Sequence, residues 1–388
     1  MAYPVIQLKM GREASVGFHH PWVFSGAIES IPDNLEEGAL VHIADRNGRI
    51  IGTGTFEGDS SIAVRVFDFS ETEINEEWIT NRIEQANDQR LLLGYGPDTD
   101  TTGYRIVFGE ADNLPGLVID RYADVLVVQI STIGMSNLSP IVIRACKKLF
   151  NPIAIIDRSE GESNVVDGKA VEAVGFLEHG IKLTADVMGG QKTGFFFDQK
   201  ELRQAVKKYA HGKSVLNAFS YTGATGIAAL LGGAASVHNV DESKAALELC
   251  LKHATLNGID SKKITTQEGD AFAWLGAQKD TAYDMVIIDP PALAKTKREI
   301  EQAKKAYHFV NRAGMRLVKD GGIFVTSSCS HFFTEDDFAY TLRRASVQAG
   351  LQLDVLEVVR QASDHPLSVY FPESLYLKSF ICRVRKLK

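Results

Sequence analysis

The chain has 388 residues, 45% hydrophobic and 23% charged, with a formal charge of −7. That is the make-up of an ordinary globular protein with room for two or three domains, and it excludes a protein that coats nucleic acid non-specifically. No apolar run reaches the roughly 18 residues of a membrane helix, the N-terminus lacks a signal peptide's apolar centre, and Cys146, Cys250, Cys329 and Cys382 form no C-x-x-C pair; a cytoplasmic, reducing setting with no membrane and no metal is expected.

Residues 1–72 read as short strands (A-L-V-H-I-A, I-I-G-T-G-T-F, S-I-A-V-R-V-F) with Asn47-Gly48 as a hairpin signal, a small all-β domain. Residues 73–186 are expected to form a middle α+β domain. There the spacing of Trp78, Ile79, Ile83, Ala86, Leu91 and Leu92 predicts a helix over 76–93, and a second helix is expected near 140–150. In residues 187–388 apolar strands alternate with helices from about Phe195, the pattern of a doubly wound, Rossmann-like parallel sheet. Its last two strands lack a clear helix between them, which predicts a hairpin closing the sheet edge. Charge is polarised: residues 1–72 carry five basic and ten acidic residues, whereas 292–319 carry eight basic residues against Glu299 and Glu301.

The first strand of the C-terminal sheet runs V-L-N-A-F into S-Y-T-G-A-T-G. Gly223 and Gly226 let the backbone approach a ligand, or simply make a tight turn. The second strand ends about 20 residues on in Asp241, placed either to accept ribose hydroxyls or to cap the next helix. The third leads to Asp270-Ala271. Three signals at successive strand ends point to a nucleoside site, and the lack of G-x-G-x-x-G favours S-adenosylmethionine over a dinucleotide.

The fourth strand, Y-D-M-V-I-I-D-P-P, ends in Asp289, Pro290 and Pro291. Two prolines stiffen the loop and remove two amide donors, leaving an acceptor-rich edge suited to a planar base. The fifth strand ends in S-S-C-S-H, so Cys329 emerges next to Asp289. A thiolate adding to carbon 6 of a pyrimidine makes carbon 5 nucleophilic toward a methyl donor, and Asp289 can bind or protonate the base edge. His331 is a weaker candidate for proton transfer. The cations that follow, Lys295, Lys297, Arg298, Lys304, Lys305, Arg312 and Arg316, flank a helix with an apolar face at Ile300, Ala303, Tyr307, Val310, Gly314 and Leu317. Beside a base pocket they are candidates for phosphate contacts; otherwise they form a solvated face.

Several longer segments occur in order: L-K-M-G-R-E with H-P-W-V-F-S-G-A-I, G-E-A-D-N-L-P-G-L-V-I-D-R-Y, G-Q-K-T-G-F-F-F-D-Q, N-A-F-S-Y-T-G, D-P-P, S-C-S, R-Q-A-S-D-H-P and F-P-E-S-L-Y-L-K. On these the chain resembles, over essentially its whole length, the bacterial 23S ribosomal RNA cytosine-5 methyltransferases with an N-terminal PUA domain. The resemblance implies a PUA-like β-barrel over 1–72, whose Lys9, Arg12 and Arg65 would meet RNA. It implies a cofactor pocket shaped by Lys192, Phe196, Asp198, Gln199, Asn217, Phe219, Ser220 and Tyr221. It implies large-subunit ribosomal RNA as partner and Cys329 as nucleophile. The D-P-P and S-C motifs also occur in enzymes acting on uridine carbon 5, so cytosine rests on the whole-chain likeness. Two other readings stay open: methylation of an exocyclic amine, which needs no cysteine, and a non-catalytic RNA-binding assembly protein. A homodimer is neither required nor excluded.

Overall fold

Alternating apolar and polar residues set strand faces, and the first 70 residues spend them on one sheet. The computed structural model describes residues 3–387 apart from 160, 162, 280–282 and 295. It divides into two compact units: Met1–Gly180 with Ala185–Phe197 and Ser363–Ser374, and Ile181–Thr184 with Asp198–Ala362 and Leu375–Lys388.

The first unit begins with a six-stranded sheet in the order Trp22–Phe24, Ile62–Asp68, Ile50–Phe56, Leu40–Ala44, Val5–Leu8, Ile28–Ser30. All neighbours are antiparallel except Val5–Leu8 beside Leu40–Ala44. Its core is Ile6, Val23, Val41, Ile43, Val64 and Val66. The Asn47-Gly48 hairpin forms because Asp45 Oδ1 accepts from the Asn47 and Arg49 amides at 2.8 and 3.0 Å and Gly48 takes φ 81°.

A five-stranded sheet follows (Asn164–Gly168, Ala154–Asp157, Val125–Ile130, Leu117–Tyr122, Gly103–Phe108 in spatial order). It shares a core with helices Glu76–Leu92 and Ser139–Phe150. The first helix starts where Asn75 accepts from the Trp78 amide at 2.9 Å. Leu91 and Leu92, expected on its core face, are exposed. Arg90 is buried in their place, because its guanidinium meets Asp112 through two 2.8 Å hydrogen bonds and donates to the Asp364 carbonyl. Asp364 also accepts from the Arg105 amide at 3.1 Å, and Ser363 meets the Tyr95 hydroxyl at 3.0 Å. The S-D-H-P end of the R-Q-A-S-D-H-P segment thus lies in the stretch Ser363–Ser374 that belongs to the first unit, although the chain before it belongs to the second.

The second unit is built on seven strands: β1 Ser214–Ala218, β2 Ser236–Asp241, β3 Ile264–Glu268, β4 Tyr283–Ile288, β5 Val318–Ser328, β6 Leu351–Arg360 and β7 Lys378–Lys386. The order is 3-2-1-4-5-7-6. β1 to β5 are parallel, and β7 inserts antiparallel between β5 and β6. Helices α1 Lys200–Tyr209, α2 Ala224–Leu231, α3 Lys244–Leu256, α4 Ala271–Ala277, α5 Ile300–Arg316 and α6 Glu335–Gln348 join them. The apolar face of α5 enters the core at Ala303, Tyr307 and Val310 beside Val286, Ile288 and Phe324. This leaves β1 to β5 delivering their carboxyl ends to one edge, where ligands of open α/β sheets bind.

Candidate active site

The turn after β1 is held in an unusual conformation: Phe219, Tyr221 and Gly223 have φ of 60°, 48° and 71°. Two non-glycine residues in the left-handed region within five positions are a strained arrangement of the kind that marks functional sites. Asp241 stabilises it. Its Oδ2 accepts from the Tyr221 amide at 2.7 Å, while Oδ1 accepts from the Ser243 amide at 2.9 Å. Asp241 therefore fixes both loops, and the cap of α3 itself is Ser243. Asp270 caps α4 through the Phe272 amide at 2.9 Å, ahead of buried Ala271. The half-buried Phe219 and Phe272 rings meet edge to face at 5.1 Å.

Asn217 lies inside β1 and donates to Asn239 Oδ1 at 2.9 Å across the sheet. Gly223 and Gly226 face the protein's own chain. A Cβ on Gly223 would lie 2.1 Å from Cys250 Sγ, and one on Gly226 would lie 2.8 Å from Asn239 Oδ1. The buried Ser220 Oγ, Thr222 Oγ1, Asn239 Nδ2 and Gln199 Oε1 make no hydrogen bond among the described residues. Unsatisfied buried polar atoms are costly. Clustered on this strand edge with two aromatic rings and two acids, they fit a polar, ring-bearing ligand such as S-adenosylmethionine. Of these, Thr222 and Asn239 were not expected from the sequence.

Gln199 opens toward the other half of the site: its Nε2 donates to both oxygens of Asp289 at 3.1 and 3.0 Å. Asp198, 2% exposed, accepts from the Tyr376 hydroxyl at 2.7 Å, and its carbonyl accepts from the Ala362 amide. Asp198 thus ties strand connections together inside the second unit. Lys192 and Phe196 belong to the first unit, where the Lys192 ammonium sits 4.2 Å from the Phe196 ring centroid.

Asp289 and Cys329 follow β4 and β5, which pair in parallel with Ile288 opposite Thr326. Pro290 is buried and Pro291 exposed. A hydroxyl cluster binds the two loops to each other. Ser328 Oγ donates to the Tyr307 hydroxyl at 2.9 Å, that hydroxyl meets Ser330 Oγ at 3.0 Å, and Ser330 Oγ accepts from the Ala294 amide at 3.1 Å. The Leu293 amide also reaches Tyr307, and burial pushes the phenol up to about 12. Tyr307 stacks on Phe333 at 4.8 Å. The sequence placed Tyr307 on a core stripe, and its polar end went unrecognised. Cys329 is half-buried, whereas Cys146, Cys250 and Cys382 are buried, and burial pushes each of those thiols up to about 12.

The cations divide. Lys297 and Arg298 form an exposed turn ahead of α5. Lys304 is taken up by Glu301 at 3.0 Å and Asp337 at 3.3 Å, which corrects the expectation that it is free for phosphate. Lys305 is exposed. Arg312 lies twelve residues along α5, roughly 18 Å from its start, in a cavity with Lys279 and Arg316 at the opposite edge of the sheet. Helical spacing alone could not separate it from the others. Lys295 lies outside the described residues.

This sheet order, with nucleoside-type features after β1 to β3 and a D-P-P loop after β4, defines an S-adenosylmethionine-dependent methyltransferase. Residues 153–347 match the family model described by that name, and residues 6–69 match a PUA-like domain. Over its whole length the chain is 35% identical to "Ribosomal RNA large subunit methyltransferase I" of Klebsiella pneumoniae, covering 98% of each chain. It is 36% identical to the protein of that name from Serratia proteamaculans, covering 97% of this chain and 98% of that one. The chain belongs to this methyltransferase family. Two solved structures share the fold. One, a methyltransferase solved with SAH, has TM-score 0.86 at 22% identity; the other, a SAM-dependent methyltransferase from Streptococcus mutans, has TM-score 0.85 at 23% identity. Each covers 99% of this chain and 100% of that one. Among the described residues no helix is long and apolar enough to cross a membrane.

Proposed function

We propose that the chain methylates carbon 5 of a cytosine in large-subunit ribosomal RNA, with Cys329 as nucleophile. The substrate follows from the relatives' shared name over nearly the full length of both chains. The observation that carries the chemistry is that Cys329 and Asp289 each follow directly on the ends of adjacent parallel strands, with their loops locked together by Tyr307 and Ser330.

Bound S-adenosylmethionine supplies an electrophilic methyl group. Gln199, Asn217, Phe219, Ser220, Tyr221, Gly223, Asp241, Asp270 and Ala271 surround its place, with Lys192, Phe196 and Asp198 assigned to it on the family likeness. The Cys329 thiolate adds to carbon 6 of the base, raising electron density at carbon 5. Asp289, held by Gln199, faces the pyrimidine edge and binds or protonates it, so that a proton takes up the negative charge of the adduct. After methylation carbon 5 gives its proton to solvent, the electron pair left behind re-forms the carbon 5–carbon 6 double bond, and the carbon–sulfur bond breaks to return Cys329 as the thiolate. Pro290 and Pro291 keep amide donors away from the base. Lys297, Arg298 and Lys305 offer phosphate contacts, and the PUA-like domain is a further RNA-binding surface.

The test is transfer of labelled methyl to unmodified large-subunit ribosomal RNA by wild type and Cys329→Ala, with nucleoside analysis. Label in 5-methylcytidine with wild type alone supports the reading. Equal label with both proteins, found on an exocyclic amine, replaces it with amino-group methylation.

A further inference from the structure

Lys378, the first residue of β7, lies directly opposite Ser328, the residue before Cys329. It is 5% exposed. Its ammonium donates to the Ser330 carbonyl at 2.6 Å and to the Tyr376 carbonyl at 3.2 Å, and among the described residues no carboxylate comes within ion-pair distance of it. A lysine buried on carbonyls alone is costly unless a negative charge stands nearby.

Among the described residues the charged groups around it are few. Glu335 pairs with Arg360, the residue opposite Lys378 on β6, at 3.1 Å. Asp337 pairs with Lys304 and accepts from Thr334. Tyr307 sits in the hydroxyl cluster as a neutral phenol. Asp289 takes Gln199 on both oxygens, and His331 is exposed. Burial pulls Lys378 down to about 8, and Cys329 is first among the groups that pull it back up, ahead of Glu335 and Asp337.

We propose that Lys378 is a positioning residue for Cys329: anchored on the carbonyl one residue past the thiol, its ammonium holds Cys329 as a thiolate ready to add to the base. The inference rests on Cys329 as nucleophile, but its test does not. Because the other three thiols titrate far higher, thiolate absorbance at 240 nm between pH 6 and 9, taken as wild type minus Cys329→Ala, reports Cys329 alone. A midpoint clearly below the roughly 8.5 of a free thiol is expected, and a midpoint at or above it overturns the proposal with no lysine variant needed. Iodoacetamide labelling of Cys329, followed by peptide mass spectrometry across pH, extends the test. Lys378→Met should slow labelling at pH 7 about tenfold and move the profile about one unit upward, while Lys378→Arg stays near wild type. In methyl transfer Lys378→Met should lower kcat, recover at higher pH and leave KM for RNA unchanged. Superimposable labelling profiles for wild type and a folded Lys378→Met would also sink the idea. Methyl transfer surviving in Cys329→Ala would remove the nucleophile reading while leaving the titration result to judge the ion pair on its own.

Discussion

Tyr307 and Lys378 are buried polar residues that both reach the Cys329 loop: the Tyr307 hydroxyl meets Ser328 and Ser330, and the Lys378 ammonium donates to the Ser330 carbonyl. Helical spacing shows that Tyr307 lies on a core stripe and not what its hydroxyl meets. Each of the two has a measurable signature. Tyr307→Phe removes the hydroxyl shared by Ser328 and Ser330 and leaves buried hydroxyls short of a partner; urea unfolding should show a loss of about 1–3 kcal/mol. Lys378 has a folded-state value near 8 against an ordinary 10.5. Between those values the unfolded chain holds a proton that the folded chain releases, so stability rises with pH across that window. Relative to Lys378→Met, wild type should gain about 2 kcal/mol from pH 7 to pH 9.5. A stability difference that stays flat with pH would show that the buried ammonium is not strained.

At the scale of elements, the turn after β1 shows how helix, strand and loop constrain one another. Sequence signals located the turn through its glycines. They did not reveal that Gly223 is demanded by α3, whose Cys250 sulfur fills the space a side chain would need, as well as by φ 71°. Gly223→Ala should therefore cost several kcal/mol, of order 2–4, from steric overlap and backbone strain together. Cys250→Ala removes the sulfur 2.1 Å from the added Cβ, so the double variant should be more stable than the sum of the single losses predicts. Strictly additive losses in a double-mutant cycle would place the whole penalty in the backbone. The same limit explains α5. Its apolar stripe was legible, and the sequence put Lys304, Lys305 and Arg312 on the rest of the helix without separating them. The structure spends Lys304 on Glu301 and on Asp337 of α6 and leaves Lys305 exposed.

Across the whole molecule, the sequence shows an acidic first segment and a basic stretch after β4, and the structure shows which of their cations are taken up in ion pairs. In the first unit Arg65 meets Glu57 and Glu110, Arg82 meets Asp68, Arg90 meets Asp112, Arg105 meets Asp120 and Arg144 meets Glu76. Arg65, expected to meet RNA, is thereby committed within the fold, while Lys9 and Arg12 remain exposed. In the second unit Lys297, Arg298 and Lys305 make no ion pair among the described residues. A phosphate contact releases counterions and adds roughly 0.7–0.9 to the slope of log affinity against log salt. A chain of charge −7 gains no general attraction to RNA, so its salt dependence should be carried by these few side chains. Lys297→Ala, Arg298→Ala and Lys305→Ala should each weaken binding of a large-subunit RNA fragment and lower the slope by about one, measured by fluorescence anisotropy from low to physiological salt. Lys304→Ala should change the slope less, because Glu301 and Asp337 already neutralise it. Arg65→Ala should leave the slope unchanged while destabilising the first unit, since it strands the partly buried Glu57 and Glu110 carboxylates. A slope that drops equally for Arg65→Ala and Arg298→Ala would mean that RNA breaks the Arg65 pairs on binding and that the first unit contributes charge the free protein keeps to itself.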